Sequence, residues 1–186
     1  MCHRFELYQT PKVIKLLEGT GYSVKEPRIF NPGDIAPVLA MDRNLKPRIF
    51  FMKWGYSIYD KLVYNSRSED IVNRRSFSND YMKHRCVIPA TSYYEWDKKK
   101  SCYHLLPNHE LIYFAGIYRL ENSKAVFSII TLESDADLKT VHDRMPMVIS
   151  DKEVTKYINP STPISQIPKY DCELKIDIIP EEERLF

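Results

Sequence analysis

Cysteine is scarce: four residues, Cys2, Cys86, Cys102 and Cys172, stand far apart with no C-x-x-C spacing. That pattern argues against a disulfide-stapled secreted scaffold and against a zinc site, and it fits a reducing, cytoplasmic compartment. No apolar run approaches the length that crosses a bilayer, and the opening MCHRFELYQT lacks the character of a signal or transit peptide. Net charge is nearly absent as well. A formal +2 does not by itself announce a nucleic-acid partner, so any basic surface must be local. Gly/Ser linkers, internal repeats and low-complexity tracts are also missing, and residues 1–186 read as a single domain with no membrane partner.

What is present suits a folded domain. Hydrophobic residues make up 44% of the chain, enough for a sizeable core, and 13 tyrosines supply many amphipathic rings. Thr10-Pro11 predicts a helix start, Val13, Ile14, Leu16 and Leu17 its apolar face, and Gly19 its stop. From Ile35 onward short β-branched and aromatic runs take over: APVLAM, RIFFMKWGY, RCVIPA, SYYEWD, CYHLL, LIYFAGIY and AVFSIITLE. Short helices are expected at Glu69–Arg75, at Ser134–Val141 with Asp135 and Asp137 in its first turn, and after Ser150, where Ser150 and Glu153 have capping-box spacing. The proline-rich stretch from Pro160 to Pro168 reads as a loop before a last strand at Leu174–Ile179. The fold class is therefore α+β, a sheet-rich, mostly antiparallel and barrel-like domain with short peripheral helices.

Cys2 has a chemistry that no internal cysteine shares. Once Met1 is removed, its α-amine and thiol sit on adjacent carbons. The amine can condense with an aldehyde and the thiol can close on the imine carbon to give a thiazolidine. A model-peptide α-amine titrates at about 7.7–8.0, so a usable neutral fraction is expected at physiological pH. Position 2 is also where a cysteine can stand by accident.

Four polar segments flank apolar strands: MCHRF, YNSRSED, YYEWD and VHDRMP. Glu95 lies in an aromatic run that would desolvate its carboxylate, although the alternation of the strand by itself favours an outward-facing glutamate. His142 is expected at a helix C-terminus, which would favour its protonated form, but a surface or satisfied core histidine fits too. On a strand, Asn65 and Arg67 would share a face and could hold a sugar oxygen and a phosphate, unless the segment is a solvated loop. Arg74, Arg75, Lys83 and Arg85, interleaved with Phe77 and Tyr81, have the composition of a single-strand groove or of a solvated charged face. Lys98-Lys99-Lys100 reads as a hairpin tip that serves solubility.

Taken in order, MCHRF, WGY (Trp54–Tyr56), NSRSE (Asn65–Glu69), RCVIPATSYYEW (Arg85–Trp96), AGIY (Ala115–Tyr118), SIITLES (Ser128–Ser134) and HDRMPMVI (His142–Ile149) resemble the SOS-response-associated peptidase, or SRAP, family over nearly the whole chain. The resemblance implies covalent capture of abasic sites in single-stranded DNA by a bacterial or phage-encoded protein. Cys2 then matches the nucleophile, and Asn65, Glu95 and His142 match its active-site partners. Arg4, Arg67 and Arg144 match phosphate contacts, with Arg74 and Arg75 extending the basic surface. No cofactor and no metal is implied, the protein would act as a monomer, and AP-lyase chemistry would be a side reaction. His3 stands where the pattern usually has glycine and Ser66 where it has alanine, and the segment after Tyr56 lacks the extra tryptophans of some bacterial members. Two rivals remain. One is a cysteine peptidase or amidohydrolase using Cys2 and His142 with Asn65 as the orienting third group, whereas the resemblance itself implies only self-processing of the short N-terminal segment as a peptidase activity. The other is a non-catalytic single-strand binding module.

Overall fold

The segments that pair are those rich in β-branched and aromatic residues, and turn residues separate them. A computed structural model describes residues 2–136, 138–169 and 176–180. β1 (Arg4–Leu7) leads into α1 (Pro11–Leu17), then β2 (Arg28–Phe30), β3 (Ile35–Met41), β4 (Pro47–Trp54), a small hairpin of β5 (Tyr56–Ile58) and β6 (Lys61–Val63), and β7 (Asn65–Arg67). After a run of turns come α2 (Ser78–Lys83), β8 (Arg85–Ala90), β9 (Ser92–Trp96), β10 (Cys102–Pro107), β11 (Ile112–Glu121) and β12 (Lys124–Glu133). The chain then adds β13 (Arg144–Pro146), β14 (Val148–Ile149), α3 (Val154–Ile158) and β15 (Ile176–Pro180).

Five strands close into a barrel: β12, β4, β3, β8 and β11 pair in that order, and β11 returns to β12. Every pairing in the ring is antiparallel except β4 with β12. Closure leaves the ring without free edges, as the barrel-like expectation requires. A second sheet runs β15-β10-β9-β1-β2, and β7 is attached in parallel to β12. β4 ends because Gly55, at φ 121°, turns the chain where a side chain would sit 2.4 Å from Leu62.

An aromatic cluster fills the space between barrel and second sheet. Phe5 stacks on Phe30 at 4.9 Å and meets Trp54 at 5.2 Å, Tyr93 meets Phe114 at 5.5 Å, and Trp54 lies parallel to Phe127 at 6.2 Å. The indole N–H of Trp54 donates to the Tyr64 carbonyl at 2.9 Å, so the ring is satisfied as well as buried. Truncating one such ring would cost about 3–5 kcal/mol. This cluster is the floor on which β1, β9 and β7 stand.

The helices depart most from expectation. α1 starts as predicted, with the Thr10 hydroxyl accepting from the Val13 amide at 3.2 Å, but only Val13 and Leu17 are buried while Ile14 faces solvent. Glu69–Arg75 forms turns rather than a helix, closed by Asn73 and Arg74 amides on the Asp70 carbonyl, and the helix begins later, at Ser78. Ser134–Val141 shrinks to a 3-10 turn over Leu138–Thr140, where the Asp135 carboxylate accepts from the Leu138 amide at 3.0 Å. Ser150 occupies the predicted cap position but its side chain caps nothing, and a 3-10 turn precedes α3. Such short segments hold few internal hydrogen bonds, so tertiary packing decides them. The last strand begins at Ile176, and the part of its expected range before that lies outside the described residues.

Candidate functional site

β1 is held on both sides, by β2 and by β9, and this fixes the chain just after Cys2. Cys2 is fully buried, its thiol donates weakly to the Arg4 carbonyl at 3.8 Å, and its own carbonyl accepts from the Asn65 amide nitrogen at 2.9 Å. Asn65 reaches it because β7 lies on β12 with Asn65 opposite Ile129. Its side-chain oxygen is buried and has no hydrogen-bond partner among the described residues. Buried acceptors are rarely left unpaired, so this oxygen is available to a ligand hydroxyl.

Alternation along β9 answers the question of Glu95. Phe5 lies opposite Tyr93, and Glu95, two residues on, shares that inward face, so its carboxylate is 2% exposed rather than solvated. Burial pushes it up to about 7. Burial, with the Glu95 charge adding to it, also pushes the Cys2 thiol far up. The Tyr64 hydroxyl is raised by burial and then by the charges of Cys2 and Glu95, which places it in the same electrostatic neighbourhood. Cys2, Asn65 and Glu95 are thus brought together as the sequence suggests.

His142 does not carry the favoured positive charge expected of it. The helix before it is a single 3-10 turn without a useful dipole, and burial, with the charge of His3 among the smaller causes, lowers its pKa. The Arg144 amide donates to His142 Nδ1 at 2.9 Å, so the neutral ring carries its proton on Nε2. His142 lines a cleft of about 320 Å3 together with Trp96 at the end of β9.

The arginines divide. Arg4 lies on the face of β1 opposite Phe5, its guanidinium 5.6 Å from the Tyr94 ring and 5.1 Å from Trp96. Arg67 is exposed on β7. Arg144, by contrast, forms a fork with both Glu69 oxygens, at 2.7 and 3.0 Å, and adds a bond to the Thr131 carbonyl. Arg74 and Arg75 are exposed, Arg74 3.6 Å from Asp70. The interleaved groove around them does not form: Phe77 is buried against Tyr56, and Arg85 is buried with its guanidinium donating to the carbonyls of Tyr81, Met82, Tyr157, Asn159 and Thr162. An arginine that satisfies so many carbonyls is a bolt between helices and strand, and it offers nothing to a ligand.

The sequence reading passes over Tyr64 and Trp96 as members of the site and notes His3 only as a departure from the family pattern beside Cys2. The exposed His3 ring lies 5.3 Å from Tyr64 and 6.2 Å from Trp96, so these three rings group beside the buried Cys2. All three sit inside segments already singled out for polar residues, and aromatic rings within polar segments were the available signal.

The chain belongs to a defined family. The profile described as SOS response associated peptidase (SRAP) matches residues 1–173, and the chain is a member of that family. Among individual proteins it is similar to abasic site processing protein YobE of Bacillus subtilis strain 168, 31% identical over 130 residues that cover 61% of this chain and 59% of the relative. It is also similar to YoaM of the same strain, at 29% over 130 residues covering 61% and 57%. Abasic site processing protein YedK of Escherichia coli K12 is 25% identical over 176 residues, covering 85% of this chain and 79% of that one. The chain spans a little over half the length of the Bacillus relatives it matches. Two crystal structures share the fold. A Bordetella bronchiseptica protein has TM-score 0.76 at 15% identity, with 96% and 99% of the two chains covered, and a Bacteroides thetaiotaomicron protein has 0.72 at 22%, with 98% and 94% covered.

Proposed function

We propose that this chain captures abasic sites in single-stranded DNA covalently, through Cys2 once Met1 has been removed. The observation that carries the reading is the grouping of Cys2 with an Asn65 side chain that holds its carbonyl, an unpaired Asn65 oxygen, and a Glu95 carboxyl poised near neutrality. The names of the relatives support the same substrate. In the ring-opened abasic sugar, the Cys2 amine adds to the aldehyde carbon. The carbinolamine loses water to give an imine, and the thiol then adds across C=N, its sulfur to carbon and its proton to nitrogen. One water leaves overall and no redox partner is needed.

Each neighbour has a part in this. At about 7, Glu95 is divided between its acid and base forms at physiological pH, so it can take a proton from the ammonium and return it. His142, neutral with its proton on Nε2, hydrogen-bonds the sugar oxygen as the ring opens and so stabilises the charge that develops there, and the Asn65 oxygen accepts from a sugar hydroxyl. Arg4 and Arg67 hold flanking phosphates, with Arg74 and Arg75 further along the strand and Arg144 contributing its charge while it anchors Glu69. Elimination from the imine instead of ring closure would nick the strand, which gives lyase activity as a side path. A thiol acting alone, as in a peptidase, would need a thiolate, and the burial of Cys2 opposes that.

The test is denaturing electrophoresis of processed protein with single strands that do or do not contain an abasic site. A shifted band confined to the abasic strand is expected, with an intact mass equal to protein plus DNA minus one water. An identical pattern with both strands would sink the proposal.

A further inference from the structure

The cleft beside His142 has a second wall that the proposed chemistry does not use. Its lining includes Lys98 and Lys99 from the β9–β10 hairpin tip and Lys139 from the turn before His142, together with the acids Asp97 and Asp143. Asp97 is spent on the hairpin itself: one carboxylate oxygen accepts from the Lys99 and Ser101 amides, both at 2.8 Å. Lys98 reaches Asp143 at 3.8 Å with 90% of its side chain exposed, a solvent-screened pair that is easily exchanged for another anion. Three cations from two loops therefore converge on a concave surface whose acids are either committed or weakly held. Trp96 joins this cleft to the rest of the site, since it lines the cleft and also lies under the Arg4 guanidinium.

We infer that Lys98, Lys99 and Lys139 form a second phosphate grip, which takes the DNA backbone leaving the reacting sugar on the His142 side. The inference rests on the proposed DNA substrate. A strand whose sugar oxygen faces His142 must carry its next phosphate past the wall that His142 shares with these lysines, because successive phosphates are tied to successive sugars. Lysine suits this position: a flexible point charge follows a mobile backbone without reading sequence. The hairpin is then a functional arm and not only a soluble tip.

Fluorescence anisotropy with a labelled, intact single strand tests this without any covalent step. Lys98→Ala/Lys99→Ala should reduce the slope of log affinity against log salt by about 1.4, and Lys139→Ala by about 0.7, as expected for one lost contact per lysine on single strands. Asp143→Asn should tighten binding. With abasic strands, adduct formation by the double variant should slow at limiting DNA and recover at saturating DNA. Lys46→Ala, in the β3–β4 turn, should leave the slope unchanged. A wild-type slope in the double variant, an equal loss in Lys46→Ala, or no binding of intact strands by the wild type would each overturn the grip. Should the wild type bind intact strands yet fail to trap abasic ones, the covalent function falls while the slopes still decide the lysines.

Discussion

The strand-borne and loop-borne halves of the site are built on opposite principles. Cys2, Asn65 and Glu95 are held by β1, β7 and β9 over the aromatic floor, where water is excluded and burial sets the protonation of the carboxyl and thiol. His142, Asp143 and the three lysines sit on turns, half-buried or exposed, and their ion pairing is weak. Bond-making groups need fixed positions in a dry setting, whereas groups that grip a flexible polyanion need reach and must stay solvated until it arrives. On the proposed function, the sheet supplies the first condition to Cys2, Asn65 and Glu95, and the turns supply the second to the three lysines.

The largest expected break in this contrast is Cys2→Ala, which removes the thiol and should abolish the stable adduct on denaturing gels. Cys2→Ser keeps the amine and should leave at most a labile imine, detected by borohydride trapping, or a slowly formed oxazolidine. On the loop side, His142→Ala should slow adduct formation about a hundredfold. It should leave the melting temperature nearly unchanged, because a half-buried residue on a turn supports little packing. A several-degree loss of melting temperature with an unchanged rate would mark His142 as structural.

The buried side has a pH signature. Glu95 binds its proton more tightly folded, at about 7, than unfolded, near 4.5, so folding takes up a proton between those values and stability declines as pH rises through them. Glu95→Gln should therefore melt like the wild type near pH 4.5 and above it at pH 8, by up to about 3 kcal/mol. A variant equally stable or less stable at pH 8 would show the carboxyl to be solvated. Smaller still, Arg144→Ala should cost about 2 kcal/mol in chemical denaturation, through the lost Glu69 fork and Thr131 bond. Exposed Arg67→Ala should change stability by less than about 0.5 kcal/mol while flattening the salt dependence of strand binding.

Legibility follows the same division. The seven long β runs were readable because alternation and β-branching act locally, and Glu95 could be placed in an aromatic strand, though not on its inner face, before the register with β1 was known. Short helices such as Glu69–Arg75 were misread because a few residues of helical propensity lose to turn hydrogen bonds and packing. Charge was the poorest guide. Arg85 and Arg67 look alike in sequence, yet one is sunk among backbone carbonyls and the other is open to solvent. The lysine hairpin looked inert because the turn that faces it lies some forty residues further on.

The parallel seam of the barrel has a kinetic consequence. β4 meets β12 through residues 53–54 and 126–127, and β7 joins the same strand at residues 129–131, so both seams close long chain loops that local contacts cannot zip. Pairings of such high contact order form late. Asn65 comes to Cys2 only through the second of them. On the proposed function, a nascent or partly folded chain would carry its aminothiol without Asn65, and the full trapping chemistry would arrive only when β7 docks on β12.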